Sequence, residues 1–200
     1  MKKQSKYELR RISRNLDHFF NLATDEQIKD GKRWYKESNE FCQEVAKEYN
    51  TDPLKVASVV SALSPRNRWE QNLKDAKKVF QAISEGKEAN DIKVCTFNKN
   101  KFKAFELAKG NIFITEDSPK TFNFVRNIAH LCPASVTVDI WHLRACLKQF
   151  KSIGNAQIGK VAYNQIKALT IKKAHKLGLT GFEYQAIIWI TAQNNIDKLR

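Results

Sequence analysis

The sequence predicts an all-α protein, and three observations support this fold class. Apolar residues recur at helical spacing along most of the 200 residues. Glycine and proline number only 7 and 4, too few for the many turns of an all-β architecture. Hydrophobic residues make up 42% of the chain, which is enough for one good core or for two small lobes around a cleft.

The predicted helices of the first half follow from apolar spacing and from capping residues. The first has a basic outer face, and Asp25 is expected to cap a short turn before the second. Thr51-Asp52-Pro53 caps the third, whose small apolar residues indicate burial on most sides. This helix should stop near Ser64-Pro65, because the residue before a proline is pushed out of the α region. The first four predicted helices cover residues 7–22, 34–50, 54–63 and 69–80.

The second half shows the same pattern after a polar loop that carries Glu, Gly and Asn. A lysine-rich stretch with interspersed phenylalanines predicts the fifth helix, and apolar stripes predict four more. These helices cover residues 99–109, 121–131, 140–150, 157–177 and 181–194. No repeat and no linker interrupts them, so we expect one compact domain over residues 1–200.

The charge of the chain indicates a polyanionic partner. Its 35 Lys and Arg against 21 Asp and Glu give a formal net charge of +14. Such an excess favours nucleic acid, with binding that weakens steeply as salt rises. An anionic membrane surface ranks second, because the basic residues are spread along the chain and do not form one juxtamembrane cluster.

The cysteine pattern argues against a metal centre. Cys42, Cys95, Cys132 and Cys146 are separated by 53, 37 and 14 positions, which fits neither paired zinc ligands nor an iron–sulfur ligand run. We therefore expect reduced, mostly buried thiols, no metal and no cofactor. The charged start Met1-Lys2-Lys3-Gln4 and the lack of a long apolar run predict an intracellular, cytoplasmic protein that does not span a membrane.

Asp139 and Lys120, 19 positions apart, are the candidate catalytic residues. Asp139 follows a β-branched run and precedes an apolar helical stripe, so it is either an N-cap or a carboxylate that stabilises developing positive charge, and the two roles can coincide. Lys120 lies in the first turn of a predicted helix. There it is either an activated nucleophile or a contact to a DNA phosphate.

Arg66, Asn67 and Arg68 form a donor-rich elbow between two predicted helices, next to Trp69. Such residues can fill the space that an extruded base leaves in a duplex, although a solvated turn explains them equally well. Trp141 falls on an apolar stripe, which favours the core over base stacking. His142 has no partner at metal-ligand spacing, so it is expected to be structural or hydrogen-bonding.

Several motifs together resemble the helix-hairpin-helix (HhH-GPD) DNA glycosylase superfamily. The resemblance covers about residues 55 to 150 and is carried by "SALSPRNRWEQNLKDAKKVF", "FNKNKFKAFELAKG", "SPKT" and "VTVDIWHLRAC". The chain is most similar to phage-encoded, glycosylase-like members, through "GKRWYKES", "KTFNFVRNI" and "FEYQAIIWITAQ" over about residues 30 to 195. It departs from the superfamily at the hairpin, where "FITEDSP" has no glycine and where Glu116 and Asp117 would repel a phosphate that they faced.

The resemblance implies a two-lobed helical fold with a central cleft, with lobes at 55–131 and at 1–54 plus 132–200. It implies a monomeric DNA N-glycosylase, without an iron–sulfur cluster, that flips a damaged or modified base out of double-stranded DNA in the host cytoplasm. Asp139 would stabilise the oxocarbenium-like sugar, and Lys120 would form an imine that permits strand cleavage. The implied DNA contacts are Arg66, Asn67, Arg68, Ser118, Thr121 and Arg126, and the implied base pocket is Trp141, His142 and Trp69.

Two rival functions remain open from the sequence. One is a phage enzyme of the same fold that hypermodifies or edits a DNA base. The other is a DNA-binding module without catalysis. Release of a free base would indicate the glycosylase, a substituted base would indicate the modifying enzyme, and binding without any product would indicate the binding module.

Overall fold

A computed structural model describes residues 1–149 and 158–195 of the chain. These residues form α-helices and one 3-10 turn, Ala89–Asp91, without a β-strand, which confirms the all-α fold class. The helices are α1 (Lys6–Asn21), α2 (Asp25–Glu48), α3 (Pro53–Leu63), α4 (Trp69–Ser84), α5 (Asn98–Lys109), α6 (Pro119–His130), α7 (Ile140–Leu147), α8 (Lys160–Lys176) and α9 (Gly181–Asn194).

Most helix bounds agree with the sequence pattern because local signals set them. Asp52 caps α3 through a hydrogen bond from the Leu54 N–H (2.8 Å), as predicted. The bounds of α9 are those predicted, and a capping box between Thr180 and Glu183 fixes its start. Helix α7 ends at Leu147, before the predicted residue 150, because Lys148 adopts a left-handed conformation, and α8 begins at Lys160, after the predicted residue 157. Residues 150 and 157 themselves lie outside the described residues.

The second helix differs from its prediction. We expected a short turn at Asp25 and then a separate helix, but α2 is continuous from Asp25 to Glu48. Its cap is Thr24, which exchanges two hydrogen bonds with Gln27: the Gln27 N–H donates to Thr24 Oγ1 (3.2 Å), and the Thr24 N–H donates to Gln27 Oε1 (3.1 Å). The cap therefore lies one residue earlier, and the helix runs on through Gly31.

The chain divides into two compact units. The first, which we call the terminal unit, comprises Met1–Glu37 and Leu131–Arg200. Its helices α1, α7, α8 and α9 pack on one another. Their shared core includes Ile12, Leu16, Phe19, Val138, Leu143, Ile166, Ile187 and Ile188. Gly31 of α2 packs against Ile187 of α9 so closely that a Cβ atom there would lie only 2.7 Å from the Ile187 nitrogen.

The second unit, Ser38–His130, is called the central unit here. Helix α3 packs against α4, α5 and α6, and every side chain from Val56 to Leu63 is buried. This confirms the expected burial of α3 on most sides. The side-chain amide of Asn39 donates to the carbonyl oxygens of Ile128 (2.8 Å) and Ala129 (3.0 Å), which ties α2 to the end of α6.

The cysteines correct one expectation. All four are free thiols, but only Cys42 and Cys146 are buried, while Cys132 is partly exposed and Cys95 is exposed. Cys95 lies in the loop before α5, outside any apolar stripe, which explains its exposure. Burial raises the pKa of the Cys42 thiol to about 12. Among the described residues, no helix is both long and apolar enough to cross a bilayer.

Candidate functional site

Asp139 follows an extended segment that Tyr163 of α8 holds in place. The buried hydroxyl of Tyr163 donates to the carbonyl oxygen of Val136 (2.8 Å) and accepts from the N–H of Val138 (3.2 Å). Outside helices and sheets, buried backbone groups need such side-chain partners. The position of Asp139 is therefore fixed by a residue that follows it by 24 positions.

Asp139 itself is the N-cap of α7. Its backbone is extended, with φ −92° and ψ −174°, and its Oδ1 accepts a hydrogen bond from the His142 N–H at 2.8 Å. The residue is partly exposed. The predicted capping role is confirmed. The catalytic role stays a hypothesis, and nothing in the capping geometry opposes it, because a helix start stabilises negative charge.

His142 lies in the first turn of α7 and is fully buried. Its Nε2 lies 3.0 Å from Thr170 Oγ1, and the Thr170 hydroxyl donates to the carbonyl oxygen of Ile166 at 2.9 Å. Nε2 is therefore the atom that carries the proton, since the Thr170 hydrogen is already used. Burial lowers the pKa of His142 to about 4. A wholly buried ring does not line a surface, so the predicted base-pocket role of His142 is corrected to one of supporting α7.

Trp141, two positions after Asp139 in the first turn of α7, is partly exposed. The Arg144 guanidinium carbon lies 4.4 Å from the centroid of a Trp141 ring, a cation–π contact that fixes the indole. With the Gln193 amide turned so that its oxygen faces both indoles, that oxygen accepts from Nε1 of Trp141 (3.2 Å) and of Trp189 (3.1 Å). Trp141 is thus a fixed aromatic side chain, held at its edge by α9.

Lys120 is the second residue of α6, directly after Pro119, and it is exposed. Ser118 and Thr121 flank this helix start. Ser118 is exposed and its carbonyl oxygen accepts from the Phe122 N–H (2.9 Å), while Thr121 is partly exposed. Lys120 belongs to the central unit and Asp139 to the terminal unit, so their predicted pairing stays a prediction.

The elbow between α3 and α4 is built around a buried carboxylate. Asp75, which is 2% exposed, accepts from the Asn67 side-chain amide (2.9 Å), the Gln71 side-chain amide (2.8 Å) and the Cys95 N–H (2.8 Å). A buried charge requires such partners. The Asn67 side-chain amide therefore stabilises the elbow through its hydrogen bond to Asp75. The interpretation of Asn67 as part of a solvated turn is wrong.

The two arginines of the elbow are not among the partners of Asp75. Arg66 has a left-handed backbone (φ 57°), and its guanidinium carbon lies 5.4 Å from the ring centroid of the exposed Phe97. Arg68 is exposed. Trp69, partly exposed, packs at a tilt on Phe124 with 6.3 Å between ring centroids. The elbow thus presents two cations on a fixed turn.

Arg126 lines an open, mainly apolar groove of about 440 Å³ in the central unit. Its guanidinium carbon lies 5.6 Å from the ring centroid of Phe122, which also lines the groove. The other lining residues come from α3, α5, α6 and the loop before α6: Asp52, Leu54, Lys55, Ser58, Leu107, Ile112, Phe113, Ile114, Val125 and His130. Arg126 is therefore partly engaged by an aromatic ring.

The positive charge is concentrated in the terminal unit. Residues 1–37 and 131–200 carry 20 of the 35 basic and 9 of the 21 acidic side chains, a net charge of +11. Residues 38–130 carry 15 basic and 12 acidic side chains, a net charge of +3. Asp139 thus lies in the unit with the larger positive charge, whereas the predicted DNA contacts all lie in the other unit.

Sequence reasoning missed Asp75, Tyr163 and Thr170. A solvated carboxylate is the ordinary expectation for an aspartate such as Asp75, although it stands four positions before Val79 of the apolar stripe of α4. Its partner Gln71 is four positions earlier on the same helix, but the Asn67 amide and the Cys95 N–H come from a turn and from a loop 20 positions later, which no local pattern indicates. Tyr163 and Thr170 lie on α8, whose pattern predicts burial but not hydrogen-bond partners.

Comparison with known protein families gives a match over nearly the whole chain. The model of the family described as "Family of unknown function (DUF7178)" matches residues 1–196. This chain belongs to DUF7178. No curated protein and no solved structure matches it. The DUF7178 match includes Asp139, Lys120 and the elbow, but the family description assigns them no role, so a functional interpretation has to come from their chemistry.

Proposed function

We propose that this DUF7178 protein is a DNA N-glycosylase that removes a damaged or modified base flipped out of double-stranded DNA. The observation that carries the proposal is Asp139, a partly exposed carboxylate fixed at a helix start in a unit of net charge +11. A cationic surface attracts the DNA, and a positioned carboxylate stabilises the positive charge that base removal generates. The resemblance to HhH-GPD glycosylases, with a two-lobed fold around a cleft, supports the same assignment.

The reaction needs no oxidant or reductant. When the bond between C1′ and the base nitrogen breaks, its electron pair leaves with the base, which takes up a proton. The sugar then carries positive charge shared by C1′ and its ring oxygen, and the Asp139 carboxylate stabilises that charge. Water adds to C1′ and loses a proton, so the products are the free base and an abasic site.

Lys120 offers a second mechanism, in which the strand is also cut. The Lys120 amine attacks C1′ in place of water and gives up its protons, the bond between C1′ and the ring oxygen breaks with a proton going to that oxygen, and an imine links the lysine to the DNA. Elimination of the 3′ phosphate from this imine cuts the strand. We propose this course only for a Lys120 amine that reaches C1′; otherwise Lys120 contacts a phosphate, and the enzyme releases the base without cutting.

The remaining residues provide DNA contacts in this proposal. Arg66 and Arg68, exposed on the turn that Asp75 fixes, occupy the vacated position in the duplex or contact the orphaned base. Ser118, Thr121 and Arg126 contact the backbone near α6. Trp141, held at its edge and by Arg144, offers a flat surface against the flipped base, with Trp69 as a further aromatic contact.

The experiment that tests the proposal is a substrate panel. Duplexes that carry single damaged or phage-type modified bases are incubated with the protein, and released bases and remaining nucleosides are measured by mass spectrometry. A free base with an alkali-sensitive site supports the glycosylase. An altered nucleoside without base loss indicates a base-modifying enzyme instead, and tight binding without any product across the panel indicates a binding module.

Lys120 is tested on the substrate that the panel identifies. Borohydride reduces an imine to a stable amine, so wild-type protein is expected to form a covalent adduct with DNA, and Lys120→Gln is expected to form none. Lys103→Gln, which removes an exposed lysine from α5 of the same unit, is the matched control. Base release without an adduct from wild-type protein assigns Lys120 to phosphate binding.

A further inference from the structure

Helix α1 has two opposite faces of different character. Ile12, Leu16 and Phe19 are fully buried in the core of the terminal unit. The outer face carries Tyr7, Arg10, Arg11 and Arg14, at spacings of three, one and three residues, which place them along one side of a helix. All four are exposed, and Tyr7 is 70% exposed. We call these four residues the α1 stripe.

More cations precede the α1 stripe, and little negative charge opposes it. Lys2, Lys3 and Lys6 are also exposed, so residues 1–14 carry six basic side chains. Glu8 is the acidic residue of this segment. Its carboxylate accepts from the Ser5 N–H (2.7 Å) in a capping box, and this hydrogen bond lowers the pKa of Glu8. Arg10 and Arg14 form no ion pair with any residue that the structure describes.

Helix α2 provides a contrast within the same unit. Between Asp25 and Glu37 it carries four acidic and four basic side chains. Arg33 pairs with Asp30 (3.6 Å) and with Glu37 (3.2 Å). Arg33 is therefore paired within its own helix, and the acidic and basic side chains of this α2 segment balance, whereas residues 1–14 keep an excess of positive charge and Arg10 and Arg14 have no such ion pair among the described residues.

We propose that the α1 stripe is a second DNA-binding surface, which holds the phosphate backbone of duplex DNA on the unit that carries Asp139. Arginine guanidinium groups bind phosphate through paired N–H donors, and a tyrosine hydroxyl can donate to a phosphate oxygen. The choice of duplex DNA rests on the proposed function. The sequence-predicted DNA contacts all lie in the central unit, so the α1 stripe adds a contact surface that they do not include.

The packing of α1 favours DNA over a membrane as the partner. A basic amphipathic helix binds a bilayer by burying its apolar face in the lipid. In α1 that face is committed to the protein core, and Asn15 further fixes the helix by donating to the Cys146 carbonyl oxygen of α7 (2.8 Å). The reciprocal hydrogen bonds between Gln4 and Gln165 (2.7 and 3.0 Å) anchor its start to α8. The α1 stripe, which remains exposed, is suited to bind the regularly spaced phosphates of duplex DNA.

The test compares two triple variants of the full chain that lose the same charge. Arg10→Gln/Arg11→Gln/Arg14→Gln removes the cations of the α1 stripe, and Lys29→Gln/Lys32→Gln/Lys36→Gln removes three exposed cations from α2. Affinity for an unmodified duplex is measured by fluorescence anisotropy at several salt concentrations. Thermal unfolding of both variants checks that they fold.

We expect the α1 variant to bind on the order of 10- to 100-fold more weakly near 0.1 M salt. Its plot of log affinity against log salt should be shallower by about 2 to 3 units, since each lost phosphate contact removes about 0.9. The α2 variant should change affinity by less than about threefold. Equal losses of DNA affinity in both variants would mean that only the net charge of the protein matters, which would overturn the proposal. Unchanged DNA affinity in the α1 variant would also overturn it.

Two further outcomes separate this inference from the proposed function. If wild-type protein excises a base and the α1 variant excises it with unchanged DNA affinity, the α1 stripe is not a DNA surface but the glycosylase stands. If the α1 variant loses DNA binding while wild-type protein yields no product on any duplex, the stripe stands and the glycosylase fails. Binding to phosphatidylserine vesicles that is stronger than binding to DNA, and lost in the α1 variant, would assign the surface to a membrane and overturn the proposal.

Discussion

The hydroxyl group of Tyr163 bonds to the backbone of Val138, one residue before Asp139, at 3.2 Å, and it also donates to the Val136 carbonyl oxygen at 2.8 Å. This clamp joins α8 to the start of α7. Because it is buried, each of its backbone groups would lose its partner if the hydroxyl were removed.

Tyr163→Phe keeps the aromatic ring and deletes only the hydroxyl. We expect the free energy of unfolding to fall by about 1 to 3 kcal/mol, because a buried N–H and a buried C=O are left unsatisfied. Urea denaturation measures this change in the free energy of unfolding. The control is Tyr7→Phe, which deletes an exposed hydroxyl and should change stability by less than about 0.5 kcal/mol. Equal stability of the two variants would show that the clamp contributes nothing.

Gly31→Ala tests the close packing of α2 against α9. A Cβ atom at residue 31 would lie 2.7 Å from the Ile187 nitrogen and 2.8 Å from its Cα, so the helices must separate. We expect a loss of about 2 kcal/mol or more in the free energy of unfolding, despite the better helix propensity of alanine. The control is Lys32→Ala at the next, exposed position. A Gly31→Ala protein more stable than wild type would contradict the packing described here.

The pKa of His142 makes stability depend on pH. Burial lowers that pKa from 6.5 to about 4, so the unfolded chain binds the proton more readily than the folded protein does. Stability is therefore lost as pH falls from about 6.5 towards about 4, by on the order of 3 kcal/mol in total. His142→Asn should remove this part of the pH dependence.

The measurement for His142 is the difference in unfolding free energy between wild type and His142→Asn at pH 7.5, 6, 5 and 4. Burial also lowers the pKa of His18, but His18 is present in both proteins and cancels in the difference. His175→Asn, at an exposed position, is the control. A constant difference across this pH range would mean that His142 titrates alike in the folded and unfolded chain.

Asp75→Asn disturbs the network beneath the elbow. An amide has one acceptor oxygen where the carboxylate has two, and its NH₂ group would face a donor, either the Gln71 amide or the Asn67 amide and Cys95 N–H. We expect a loss of about 1 to 3 kcal/mol in stability. Asp117→Asn, an exposed carboxylate near α6, is the control and should be neutral. An Asp75→Asn variant as stable as wild-type protein would refute the structural role of the network.

The sequence predicted what local chemistry determines. Helix α3 begins where Asp52 and Pro53 predict, and Asp139 caps α7 as its position before an apolar stripe indicates. The cap before α2 was misplaced by one residue, because Thr24 and Asp25 are both good caps and only the exchange with Gln27 decides between them. The helix itself was expected to begin near Trp34, nine positions after its actual start.

Contacts between distant residues were not predictable in this way. The buried His142 ring forms its hydrogen bond with Thr170, which follows it by 28 positions, and the carboxylate under the elbow accepts from the Cys95 N–H. The basic face of α1 was visible as a pattern, but its proposed DNA-binding role also rests on the packing of α1 and on the charge of each compact unit, which require the structure. The pairing of Asp139 with Lys120 joins residues of different units, which no local pattern fixes.

The central claim is that the Asp139 carboxylate stabilises charge during base removal, and single-turnover excision by Asp139→Asn tests it most directly. Asparagine caps a helix as well as aspartate does, so α7 and its thermal stability should be preserved. We predict that base release slows by at least about 100-fold while DNA affinity is unchanged or higher. Asp52→Asn, which makes the same exchange at the cap of α3, should excise at the wild-type rate. Full excision activity in Asp139→Asn would contradict the account.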